Sequence, residues 1–209
     1  MKLLITGSVQ PLGKLLCGAL AKNHHVQGID RDTCDHRDLE ALASLCVGID
    51  AVLHCDVFDP PEDLAEIGLD WATRGTYVLM QAARSAGVER VIVASRLSLF
   101  DAYPAHYVVD ETWQPKPQAD AGSLAPYLAE LTCREFARQG GICAVGLRLA
   151  ELGSLEGTTE SDVVTAVQGA LALEFEPEGY RWQVFHVSSG GRFPMRSARR
   201  ALGFDGEGE

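Results

Sequence analysis

The opening residues have the types and spacing to cradle a phosphate. Lys2-Leu3-Leu4-Ile5 is a short apolar run broken by Thr6-Gly7, and Gly13 follows where Leu12, Leu15, Leu16 and Leu20 start a helical repeat. A strand that turns on glycine into a helix aims backbone N–H groups and the positive helix end at one spot, which suits a pyrophosphate. In such turns the first glycine permits the bend, a middle one lets the phosphate approach, and the last lets the helix pack on the strand. Gly7 and Gly13 fill the first and last places, and no glycine stands between them. A second chemical group is Asp30, which ends the stretch His25 to Ile29. A carboxylate at the tip of the second strand of such a fold accepts hydrogen bonds from ribose hydroxyls and repels a 2′-phosphate. Asp30 therefore favours NAD over NADP, a preference that the adjacent Arg31 can blunt.

The elements that must position these groups alternate along the chain. Periodicity predicts strands at residues 25–29, 49–55, 88–95, 142–149 and 182–187 after the first one. Helices are expected at 13–22, 37–47, 63–86, 124–138, 159–173 and 194–202. Alternation of this kind implies an α/β fold, a doubly wound Rossmann-like parallel sheet, in a single domain over 1–209. Residues 30–36 are short where a full unit places a further helix and strand, which leaves a third strand of a few residues. Residues 96–121, with prolines at 104, 115 and 117, read as a loop over the carboxyl edge of the sheet, where such architectures carry active-site groups. The part from 155 to 209 is a reduced C-terminal region.

Composition excludes other classes. The 209 residues carry a net charge of −11 with 18 scattered basic residues, which argues against a nucleic-acid partner. No apolar run approaches the ~20 residues needed to span a bilayer, and the N-terminus enters a strand without a signal-peptide core, so a cytoplasmic, non-membrane protein is expected. The six cysteines form no C-x-x-C and no zinc spacing, so buried free thiols and no metal are expected.

The turn resembles the T-G-x-x-G-x-x-G of the extended short-chain dehydrogenase/reductase superfamily, the NAD-dependent epimerase/dehydratase family. Thr6, Gly7 and Gly13 match, and the run from Ala82 to Ser95 (A-A-R-x-A-G-V-x-R-V-I-x-x-S) is more family-like still. Arg74-Gly75-Thr76 resembles the family's N-V-x-G-T helix, and Asp35-His36 its Asp-hydrophobic pair beside the adenine. The resemblance implies cofactor contacts by Thr6, Gly7, Gln10, Gly13, Asp30, Arg31, Asp35 and His36. It also implies a Tyr that moves the substrate's proton, a Lys four residues on that lowers the Tyr pKa, and a Ser that orients the carbonyl. Tyr127 takes the first place. Leu131 stands for the lysine and Arg96 for the serine.

Four departures bear on function. Gln10 crowds the phosphate site and Pro11 offers no N–H; Asp56 brings a carboxylate where the family has small residues; Arg96 and Leu131 replace catalytic groups. Arg96 either grips an anionic ligand or pairs with a local acid such as Asp101 or Asp110. NAD is therefore the implied cofactor, with binding weak or lost. The leading expectation is a catalytically impaired member acting as a ligand-sensing or protein-association module. One alternative is an active NAD-dependent oxidoreductase or epimerase on a small sugar-like substrate. Another is a nucleotide-binding module without chemistry that keeps Asp30 and Asp35. The resemblance further implies a homodimer through the helices at 63–86 and 124–138, whose Tyr77, Met80, Leu128 and Phe136 are core or interface.

Overall fold

A computed structural model describes residues 1–58, 65–153, 157–176 and 179–204. Six parallel strands, β1 (Lys2–Thr6), β2 (His25–Ile29), β3 (Ala51–His54), β4 (Arg90–Arg96), β5 (Cys143–Leu149) and β6 (Trp182–Val187), form one sheet in the order β2-β1-β3-β4-β5-β6. Alternate β1 residues feed opposite layers. Leu4 joins Leu42, Val52, Leu79 and Phe136 beneath α2 (Leu39–Cys46), α4 (Thr76–Ser85) and α5 (Ala121–Gln139). Leu3 and Ile5 join Leu12, Leu16, Val163 and Leu202 beneath α1 (Pro11–Leu20), α6 (Glu160–Ala172) and α7 (Arg196–Leu202). Both faces of β1, β3, β4 and β5 are covered, which is why they read as near-continuous apolar runs, whereas the edge strand β2 is partly exposed.

Three expectations change. The short third strand is absent among the described residues, because the segment from Asp30 to Asp38 spends its polar groups on turns. Asp30 Oδ1 accepts from the backbone N–H of Asp32 (2.9 Å) and Thr33 (3.3 Å), and Asp38 caps α2 through the N–H groups of Glu40 and Ala41. Such local bonds compete with a ladder. The helix expected at 63–86 is interrupted: α3 (Ala65–Asp70) widens into a π turn over Trp71–Gly75 before α4 begins. Thr73 Oγ1 donates back to the carbonyls of Leu69 (2.8 Å) and Asp70 (3.3 Å) within this turn. Residues 63 and 64 lie outside the described residues. Finally, α5 starts at Ala121 rather than 124, since Asp120 accepts from Ser123 N–H at 2.9 Å and caps it there. Pro126-Tyr127 consequently sits inside the helix, not at its start.

The loop over the sheet edge is anchored rather than loose. Leu97, Leu99, Phe100 and Val109 form a separate buried cluster with Tyr103, Trp113, Tyr127 and Phe193 against it.

Candidate functional site

The chain departs from β1 to β2 on one side and to β3 on the other, so the carboxyl end of β1 is the topological switch point where open α/β sheets take ligands. Its turn has little freedom. Gly7 has φ +67, and a Cβ there would lie 2.8 Å from Asp56 Cα; a Cβ on Gly13 would lie 2.1 Å from the Gly7 carbonyl oxygen. These two glycines are thus required by the packing of strand on helix. Gln10 precedes α1 with its side-chain Oε1 buried and unpartnered, and Pro11 opens the helix at the position where a missing N–H costs no intrahelical bond.

Of the adenosine-side residues, Asp30 sits where expected, but one carboxylate oxygen is engaged by its own loop and the other lies 3.5 Å from Ser8 Oγ. Arg31 does not turn outward: its guanidinium lies over the Trp71 ring, 5.0 Å from the centroid, and donates to the Asp56 carbonyl at 3.4 Å. Asp35, although half exposed, is paired with a neighbour. Arg37 donates to both its oxygens at 2.9 Å, and these bonds hold its carboxyl down at about 2. His36 is a core residue, 1% exposed, its ring tilted 45° against Trp71 with centroids 4.8 Å apart.

Asp56 also corrects the expected picture of a carboxylate facing the phosphates. It is buried, receiving Thr6 Oγ1 at 2.9 Å, with His54 Nδ1 and His36 Nδ1 each 3.0 Å from its oxygens. Burial alone would push its carboxyl up, but His54 and His36 hold it well below the usual carboxylate range. Thr76 Oγ1, 2.8 Å from His54 Nε2, ties this network to α4. Thr6 Oγ1 is thus a member of this network.

Tyr127 and Leu131 do share a face of α5. Both line a cleft of about 420 Å³ together with Trp113, Trp182, Glu130 and Arg148. At its floor Arg148 Nε and Nη2 donate to the two Glu130 oxygens at 2.9 and 2.8 Å, with both side chains about 5% exposed. His186 Nε2 lies 3.5 Å from Arg148, and burial together with that charge pushes its imidazole down to about 3. Arg96, at the end of β4, lies over the Phe58 ring at 5.0 Å. Asp110 is engaged by Thr112 instead, and Asp101 is faced by Arg192. Sequence reasoning missed the Glu130–Arg148–His186 floor. Its signal was present: a charge in the apolar run of β5 needs a buried partner.

Among the described residues no group of three or more His, Cys, Asp or Glu side chains is placed to hold a metal, and no helix is long and apolar enough to cross a membrane. Of the six free thiols, Cys34, Cys46, Cys55 and Cys133 are buried.

The glycine turn, the parallel sheet and Tyr127 on α5 agree with a family-wide match. The model of the NAD dependent epimerase/dehydratase family matches residues 3–177. The chain belongs to this family. A uronate dehydrogenase of Pseudomonas syringae pv. tomato is 28% identical over 162 residues, 71% of this chain and 58% of that protein. An L-arabinose 1-dehydrogenase (NAD(P)(+)) of Haloferax volcanii is 27% identical over 131 residues, covering 59% of this chain and 50% of that protein. The chain thus spans about half the length of these curated relatives. Among solved structures, MoeE5 in complex with UDP-glucuronic acid and NAD superposes with a TM-score of 0.81 at 20% identity, covering 100% of this chain and 95% of that one. Uronate dehydrogenase from Agrobacterium tumefaciens superposes at 0.77 and 19%, covering 100% and 85%. At these identities the structural likeness is one of fold.

Proposed function

We propose that this family member binds a small polar ligand of the sugar-acid or nucleotide class, does not carry out the family's hydride transfer, and serves as a ligand-sensing or protein-association module. The observation that carries this reading is Leu131. It lines the same cleft as Tyr127, one helical turn further along α5, where proton transfer by a phenol needs a cation. An unassisted phenol has a pKa near ~10 and is a poor base at neutral pH. Of the cations lining this cleft, Arg148 is committed to Glu130 and Arg134 pairs with Glu135, and a guanidinium stays protonated in any case. With Arg31 lying across the turn and Asp30 partly engaged, the residues as placed do not fit a dinucleotide, so NAD is expected to bind weakly and NADP no better.

The test is NAD reduction by the protein against a panel of uronic acids, L-arabinose and nucleotide sugars, with ligand titration by calorimetry alongside. Turnover that vanishes in Tyr127→Phe would overturn the reading. It would promote an active NAD-dependent oxidoreductase on a sugar acid, which the similarity to uronate dehydrogenase and the place of Tyr127 in the cleft favour. Sub-micromolar NAD affinity without turnover would instead support a nucleotide-binding module.

A homodimer through α4 and α5 belongs to the same reading. Met80 and Phe136 are buried in the core, which leaves Tyr77, 53% exposed, and the half-buried Leu128 as the apolar groups for such a face. Light scattering that reports a monomer at tens of micromolar would remove it.

A further inference from the structure

Arg31 follows β2 and hydrogen-bonds the carbonyl of Asp56, which follows β3. Since β1 lies between those two strands, the side chain must cross the carboxyl end of β1, a span of two strand spacings or about 10 Å. That end is the switch-point crevice. We propose that Arg31 is the resident occupant of this crevice and the residue that determines what enters it: a strap laid from β2 to β3 that a dinucleotide has to displace.

Three observations support a strap rather than a fixed structural tie. The bond to the Asp56 carbonyl is long, at 3.4 Å, and a backbone carbonyl offers no charge to hold a guanidinium. Nε and Nη1 are buried without any hydrogen-bond partner, so the group regains hydration when it swings out. What keeps it in place is the cation–π contact with Trp71, at 5.0 Å from the centroid of a ring that also meets Arg37 at 5.7 Å and His36 at 4.8 Å. An aromatic face with a cation stacked on it is an attractive but undirected contact, which a flat purine could take over. The ligand class excluded by the strap is therefore the adenosine diphosphate portion of a dinucleotide, while the cleft at Tyr127 stays open.

This inference rests on the weak dinucleotide binding proposed above, and its test is a ratio, so the two can fail separately. Trp113→Phe and Trp182→Phe leave Trp71 as the sole tryptophan. In that background Arg31→Ser and Arg31→Lys are compared with Arg31 for acrylamide quenching of Trp71 and for binding of ADP and NAD. Arg31→Ser is expected to raise quenching at least twofold and to tighten ADP and NAD binding tenfold or more. Arg31→Lys, which keeps the charge and loses the guanidinium, should fall between. Tight NAD binding by the parent would refute the weak-cofactor reading and leave this ratio to be judged alone. Unchanged quenching, binding that is equal or weaker in Arg31→Ser, or no binding by that variant at millimolar ADP would each overturn the strap; weaker binding would make Arg31 a phosphate partner instead.

Discussion

Replacing Glu130 by Gln tests the cleft floor most directly. The Glu130 and Arg148 side chains are 5% and 6% exposed and joined by two bonds of 2.9 and 2.8 Å, so each ion relies mainly on the other. Glu130→Gln keeps the shape and one acceptor but leaves the Arg148 charge buried and uncompensated. Losing one partner of such a pair costs about 3–5 kcal/mol, a large share of the ~5–15 kcal/mol that holds a domain together. In a chain of 209 residues each kcal/mol moves Tm by about 2–4 °C, so a fall of roughly 6–20 °C is expected. The double variant Glu130→Leu with Arg148→Met removes both charges and should recover most of that loss, because burying a matched pair gains little over apolar packing. Urea and thermal unfolding of the two variants decide the matter. A Glu130→Gln protein within about 1 kcal/mol of the parent would mean the pair is hydrated, as surface pairs are, and would refute the reading of the cleft floor.

Further outcomes follow from the same geometry. Gly13→Ala places a Cβ 2.1 Å from the Gly7 oxygen and should destabilise by about 2 kcal/mol or more, whereas Gly18→Ala, with nothing within 4 Å, should stabilise by about 0.5–1 kcal/mol; urea midpoints measure both. His186 is pushed down to about 3 in the folded chain against ~6.5 unfolded. A lowered imidazole contributes stability that is complete above pH ~6.5 and lost as pH falls toward 3, at up to ~1.4 kcal/mol per unit. Unfolding measured between pH 6.5 and 4.5 should show a shallower slope in His186→Gln; an unchanged slope would mean the imidazole is not held neutral. Leu131→Lys alone should give no NAD-linked turnover, while Leu131→Lys with Arg96→Ser and Gln10→Gly is the smallest set expected to restore it. Turnover by the single variant would show that the cofactor turn is competent as it stands.

The sequence by itself determined the fold and the family. Runs such as Leu3 to Ile5 and Val91 to Ala94 are apolar throughout because a parallel strand is buried on both faces, and the helices between them keep a 3.6-residue period on one side. Gly7 and Gly13 were legible because only glycine tolerates the contacts of that turn. Tyr127 and Leu131 were legible because a helix fixes which residues share a face. What tertiary structure alone decided is where the charged groups point. Asp30, Asp35 and Arg31 stand at the expected positions, yet one carboxylate turns into its own loop, one pairs with Arg37, and the guanidinium folds back over Trp71, a residue 40 positions away. Asp56 faces two buried histidines, His36 and His54, brought beside it by separate segments. Backbone periodicity is a local property written into neighbouring residues, whereas a long side chain chooses among partners that only the folded chain brings within reach.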